Sequence, residues 1–580
     1  MTPILDPRAG DIEDDQSSTT RRSLVSLAGS LLAEVSFPKI VLAWVLIVGL
    51  PGVFLGAAPL VVSVWVVKVS SRASAIAYEV IPAIVLVMLL AIGWFLGRRV
   101  FRLAESSFWS LNALAVQPVY VLSREGLRHF TERRLSSSTD DDRRAMWRSA
   151  SALVAGLLIC GASMWLVLLV WPLSRWTASL AEIESLRWLA STITANAIVI
   201  VTCYLAGAAL VWGVADAIMA QPRDLREFSQ PRAHDRQWRV AHLSDLHVVG
   251  EPYGFRLESG RSGPQGNAGF RQILARLQAI HHGAGLDIVL VTGDITDAGR
   301  SSEWAEFFDA LQAFPDIAAR LVMLPGNHDV NVVDRANPAR LDLPTSPMKR
   351  LRQMRSISAV SAIQGERVVI VDPKTGALGE TLASAIEPRR LEVSAFANEG
   401  SLRLSLPLAD LWVSVFPMIL PPASDDGLGV ILLNSNAESH FSFSNALGII
   451  SSEQANAIDA AAKRFPRAQW IVALHHHLVE YPKAPKALSE RIGTALSNGT
   501  WFVRRLQRHA DHVVVMHGHR HIDWVGRCGG LLIVSAPSPI MPHAEDESAY
   551  FYVHTLAAGA DGTVRLLQPE RVDVAAVSAS

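Results

Sequence analysis

Cysteine is scarce in this chain. Only Cys160, Cys203 and Cys528 occur in 580 residues, none of them in a C-x-x-C pair. That excludes a disulfide-stapled framework and argues against a thiolate metal site. Excess charge of one sign is also missing. Lys plus Arg number 53 against 54 Asp plus Glu, a net charge of -1, so bulk electrostatics suggests no nucleic-acid polymer as partner. Apolar residues are abundant instead: they make up 50% of the chain, concentrated in the first 220 residues. The length exceeds what one core serves, so two or more domains are expected.

Charge is absent over long stretches of that first part. Residues 40–67 carry none, and residues 77–97 carry only Glu79 before Arg98 and Arg99 close the run. Residues 151–171 and 191–212 are two further uncharged runs. A hydrocarbon-spanning helix needs about 20 apolar residues, and tryptophans near the ends of these runs fit membrane interfaces better than a soluble core. An N-terminal all-α transmembrane region of about four helices, residues 40–219, is therefore expected. Pro51 and Pro59 leave open a kinked span or a re-entrant hairpin in the first run.

Basic flanks alternate with poor ones. Arg8, Arg21, Arg22 and Lys39 precede the first run, ten arginines fall in 98–149, and Arg223, Arg226, Arg232, Arg236 and Arg239 follow the fourth. The two other connections hold only Lys68 with Arg72 and Arg175 with Arg187. The expectation is a multi-pass inner-membrane protein with both termini in the cytoplasm. Residues 1–39 read as a disordered acidic tail, then a short amphipathic helix whose arginines meet lipid phosphates. An export signal at the twin arginines is the weaker reading, because Glu34 interrupts the stretch and a full span comes directly after it. In the basic loop, "REGLRHFTERRL" predicts a helix and "SSSTDDDRR" a solvated loop. The spans show neither paired acids nor repeated broken helices, so the region reads as an anchor in membrane lipid rather than a transport path.

After a polar linker, 220–237, strands and helices alternate, which predicts an α/β domain over 238–580. Five apolar strands run into clusters of Asp, His and Asn: "WRVAHLSDLHV", "LDIVLVTGDITD", "ARLVMLPGNHDV", "AQWIVALHHHL" and "DHVVVMHGHRH". Ligands of α/β sheets bind at the carboxyl ends of strands, so the clusters converge. Each alone is weak, since a lone Asp-x-His is usually a loop and a lone His run a solvated tract. Together, all oxygen and nitrogen donors without sulfur, they favour a hard or borderline metal.

The ordered set "DLH", "GD", "GNHD", "HH" and "GHRH" resembles the calcineurin-like metallophosphoesterases, phosphodiesterase-like branch, over about residues 238–540. The resemblance implies two facing β-sheets flanked by helices and two divalent metal ions, Mn, Fe or Zn. One ion would be held by Asp245, His247, Asp294 and His521, the other by Asp294, Asn327, His475 and His519, with Asp294 bridging. His328 would act beside the metals as proton donor or charge stabiliser. Asp329 either orients that imidazole or caps the following turn. The third cluster departs from the common His-His-Pro: it reads His475-His476-His477, with His475 the implied ligand and His476 the alternative. His242 is expected to lie further inside, as a structural or supporting residue.

Residues 331–428 match no family pattern. Their Arg340, Lys349, Arg350, Arg352 and Arg355 read either as a solvated helix face or as a cap whose cations meet phosphate. "AYFYVHTL" and "TVRLLQPERVDV" predict a closing hairpin. The expected function is a membrane-anchored dimetal phosphoesterase acting on a phosphodiester of the cyclic-nucleotide or lipid/nucleotide pyrophosphate class. The alternatives are a non-catalytic sensor or scaffold that keeps the metal site, and a regulatory domain attached to a transporter.

Overall fold

The computed structural model describes residues 45, 49–76, 88, 117–134, 141–178, 186–250, 267–331, 347–372, 377–399, 402–437, 445–482, 494, 496–541, 548–559 and 562–574. Contacts divide the chain into two compact units, one of them Ser36–Met219 and the other containing Ala220–Ser580.

In the first unit three helices are long and apolar enough to cross a membrane, through Leu50–Val67, Asp142–Leu173 and Leu186–Ala217. Apart from Met88, the expected span at 77–97 lies outside the described residues, as does the tail at 1–39. The first helix is continuous from Leu50 to Ile76 through Pro59, so the chain does not dip and return there. Large apolar side chains face outward, Phe54 at 73% and Leu168 at 70% exposure, a surface that water would penalise and lipid would not. The helices Asp141–Val170 and Leu186–Ala217 approach closely where Gly156 meets Ala209 and Gly213: a Cβ on Gly156 would come within 2.7 Å of the Ala209 oxygen. Small residues permit such contact between spans.

Two buried polar groups tie this unit together, and reading the sequence span by span overlooked both. Asn196 donates to the oxygens of Gly56 and Arg175 and accepts from the Arg175 N–H. Asp216, in the last turn of its helix, accepts from Tyr120 Oη at 2.9 Å and pairs with Arg124. Tyr120 and Arg124 lie on the helix Gln117–Arg134, the predicted basic helix extended to include "QPVYVL". The stretch expected as a loop is helical from Asp141, where early aspartates complement the positive helix start.

The second unit holds two sheets. Its strands are β1 Pro222–Asp224, β2 Arg236–Leu243, β3 Ile288–Val291, β4 Leu321–Met323, β5 Val369–Val371, β6 Leu378–Thr381, β7 Met418–Leu420 and β8 Leu428–Leu432. They continue with β9 Gln469–Ala473, β10 Val513–His517, β11 Trp524–Cys528, β12 Leu531–Ser535, β13 Tyr550–Ala558, β14 Val564–Leu566 and β15 Glu570–Asp573. The nine-stranded sheet has the order β1-β11-β12-β10-β9-β8-β7-β5-β6. The other has the order β14-β13-β2-β3-β4, with β15 paired to β13. β2, β3 and β4 are parallel, as are β8, β9, β10 and β12. Central strands such as β3, β9 and β10 are buried throughout, which is why they read as unbroken apolar runs. The expected closing hairpin forms as β13 with β14 and β15, and β13 also completes the sheet beside β2.

The described parts of 331–428 are built into this domain. β5, β6 and β7 extend the large sheet, and the helix Pro347–Gln364 sends Met354, Ile357 and Val360 into the shared core. Lys349, Arg352 and Arg355 are each less than a tenth exposed, so that helix does not present a solvated face. Ser356 Oγ donates to the Asp329 oxygen at 3.3 Å, which places the helix behind the turn that carries His328.

Candidate metal centre

The five motif-bearing strands end side by side, three in the small sheet (β2, β3, β4) and two in the large one (β9, β10). The loops after β2 and β3 run as a ladder: the N–H groups of Asp245, His247 and Val248 donate to the oxygens of Gly293, Asp294 and Ile295 at 2.8–3.0 Å. Six described non-glycine residues have positive φ, and five of them are predicted ligands: Asp245 (56°), His247 (43°), Asp294 (49°), His519 (77°) and His521 (54°). Each such conformation costs roughly 1–2 kcal/mol in an L-residue. Strain of this kind, concentrated where the strands end, is held by the surrounding fold and aims donors at one place. Glycine is required beside them: at Gly326 a Cβ would lie 2.1 Å from Asp294 Oδ1, and at Gly293, itself at φ 97°, 2.5 Å from His475 Nδ1.

Two trios of donors that share no residue result, beside a third, His247, Asp297 and His328, that overlaps one of them. Asp294, His475 and His519 form one, and Asp245, His247 and His521 the other; in each, one atom per residue lies within 4.8 Å of the rest. In the first, His475 Nε2 is 3.2 Å from Asp294 Oδ2, 3.0 Å from His519 Nδ1 and 3.0 Å from Asn327 Oδ1. In the second, His521 Nε2 is 3.2 Å from Asp245 Oδ1 and 3.4 Å from His247 Nε2. Donors about 2.0–2.2 Å from a shared ion stand roughly 3.0–3.5 Å apart, so both trios fit a cation. Buried Asp245 Oδ1 makes no hydrogen bond despite lying so close to an imidazole. An atom placed that way suits coordination better than pairing. Asp294 joins the first trio through Oδ2, while its Oδ1 accepts the His328 N–H at 2.8 Å.

Surrounding groups fix which ring nitrogen faces inward. His475 Nδ1 donates to the Thr292 oxygen at 2.8 Å, leaving Nε2 for the site. His328 Nδ1 donates to the Asp297 oxygen at 2.7 Å, which sends Nε2 to within 4.0 Å of Asp294 Oδ2. The Asp297 carboxylate lies 3.3 Å from His247 Nδ1. Asp297 thus orients two site imidazoles, an outer partner of the usual kind. Reading motif by motif passed over it, although its place three residues after Asp294 in the same loop was the available signal. His476 turns instead to Ser435 Oγ at 2.8 Å and lies outside both trios. His242 is buried against Thr292 Oγ1 at 3.1 Å, behind the ligands.

Asp329 caps rather than orients. Its carboxylate accepts the N–H groups of Ile295, Thr296 and Gly326 and the Thr296 hydroxyl. Burial, with the Asp294 charge adding to it, pushes its carboxyl up to about 6. Burial holds His247 down at about 4. Burial also pulls on His475, but the Asp294 carboxylate beside it outweighs that and lifts it to about 9. Cation uptake there competes with a proton.

Residues 239–523 match the calcineurin-like phosphoesterase family. No curated protein matches the chain. Solved structures similar to it include a Staphylococcus aureus protein assigned as a 5′-nucleotidase, with 12% identity over 59% of this chain and 55% of that one and a TM-score of 0.31. A dimetal phosphatase from Danio rerio has 12% identity over 58% of this chain and 99% of its own, TM-score 0.32. The NAD nucleotidase of Haemophilus influenzae has 11% identity over 59% and 51%, TM-score 0.29. The chain spans about half the length of the first and third. The family match, and not these distant likenesses, bears on the chemistry of the site.

Proposed function

We propose, from the calcineurin-like phosphoesterase domain at residues 239–523, that this chain is a membrane-anchored, metal-dependent hydrolase of phosphate esters with a two-ion centre. The convergence of two donor trios at the strand ends carries the reading. Asp245, His247 and His521 would hold one ion; Asn327, His475 and His519 the other; Asp294 would serve both. Two divalent ions, when bound, would supply Lewis acidity to the phosphoryl oxygens and lower the pKa of a water nucleophile. The chain's own residues do the rest. Asp297 and Thr292 keep the imidazole nitrogens pointed inward. His328, half-buried and aimed through Nε2, steadies the phosphoryl charge or passes a proton to the leaving oxygen.

The substrate class is a phosphodiester, of the cyclic-nucleotide or lipid/nucleotide pyrophosphate kind. A binding-only domain would be free to lose a ligand, whereas every position implied by the motifs keeps a competent donor. The test is hydrolysis of a chromogenic phosphodiester by the full chain in detergent. Turnover that a chelator abolishes and Mn²⁺ restores is expected. Turnover indifferent to chelation, or none on any phosphate ester with metal supplied, would sink the reading.

A further inference from the structure

The loops after β9 and β10 carry ligands of both ions, and one buried ion pair joins them. Glu480 comes just after the His475–His477 run, and Arg520 stands between His519 and His521. Arg520 Nη1 donates to both Glu480 oxygens, at 3.2 and 3.0 Å. The two side chains are only 4% and 11% exposed. His477 Nε2 lies 3.3 Å from the same carboxylate. The Tyr481 ring covers the guanidinium, with Cζ 5.6 Å from the ring centroid, and Tyr481 Oη is fixed 2.8 Å from Ser535 Oγ at the end of β12. Arg520 is thus held by a carboxylate and a ring of the segment that follows β9.

The backbone on each side of Arg520 needs such an anchor. His519 and His521 both sit in the left-handed region, at φ 77° and 54°, which a histidine leaves unless something holds it. Their rings meet different partners, one reaching His475 at 3.0 Å and the other Asp245 at 3.2 Å. One turn therefore sets a ligand of each ion, and its middle residue is bound to the loop that supplies His475.

We propose that the Glu480–Arg520 pair is a positioning latch: it locks the His519–His521 turn against the His475 loop, so that affinity at both ion sites depends on it. The proposal rests on the two-ion reading of the centre. Partners behind metal ligands commonly carry about 10–100-fold in metal affinity.

The probe is Mn²⁺, titrated by calorimetry into the metal-stripped full chain in detergent. Glu480→Gln keeps the side chain's size and removes its charge. The expected result is two ions still bound, about tenfold more weakly, with the metal-free thermal midpoint close to wild type. A second set guards against a folding defect: the exchange Glu480→Arg with Arg520→Glu should recover most of the affinity lost in Glu480→Arg alone. Unchanged Mn²⁺ affinity in Glu480→Gln overturns the latch alone. So does a loss matched by a fall of the metal-free midpoint, or an exchange that rescues nothing. A wild type that takes up no Mn²⁺ overturns the two-ion reading and the latch with it.

Discussion

At the scale of single residues, the candidate donors that the structure brings together were legible in the sequence. Asp, His and Asn directly after apolar runs, in three of the five clusters with glycine beside them, have few other reasons to recur five times. Asp297 was not legible, because its work depends on two rings that approach it only in the folded chain. The distinction between coordinating and assisting residues can be tested. Asp294→Ala removes the carboxylate proposed to serve both ions and should cost on the order of several thousandfold in rate, as expected when an assembled unit is dismantled. His328→Ala should keep both ions and lose roughly 10²–10⁴-fold, the share of a proton-transfer group. Elemental analysis of the two variants decides: equal metal loss in both would erase the division of roles.

At the scale of elements, the strands and helices around the site arise from pattern, and the parts without pattern do not. β2, β3, β4, β9 and β10 were each visible as apolar runs. β5, β6 and β7 are short strands of three or four residues inside 331–428, and nothing in their alternation sets them apart from loop. The start of the helix Ser301–Gln312 shows how an element ties into the site. Glu303 is fully buried and accepts the N–H groups of Ala298 and Arg300 at 2.9 and 3.0 Å, closing the loop that contains Asp297. Burial raises its carboxyl from 4.5 to about 8, against the pull of Arg300. A raised carboxyl binds its proton more tightly folded than unfolded, so the native state loses stability as pH climbs from about 4.5 to about 8. Glu303→Gln stays neutral throughout. Its thermal midpoint should sit near wild type at pH 5 and rise above it by pH 8.5, the stability difference being on the order of a few kcal/mol at most. A gap that stays constant across that range would show that Glu303 does not titrate there.

At the scale of the whole molecule, composition divides the chain into an apolar part and an α/β part, and the structure divides it at Met219 and Ala220. Three long apolar helices were legible from missing charge; the polar ties of Asn196 and Asp216 were not, since their partners lie up to 140 residues away. Three helices are long and apolar enough to cross a membrane; the proposed fourth span at 77–97, together with the basic flanks, would put both termini in the cytoplasm. A reporter active only in the cytoplasm, fused after Ser580, should be active, and one active only outside should be silent; the reverse would move the substrate to the envelope side. The central claim is the two-ion centre itself, and metal stoichiometry tests it most directly. Elemental analysis of the full chain, purified in detergent and loaded with excess Mn²⁺ before desalting, should find about two ions per chain. At most one ion per chain would contradict the account.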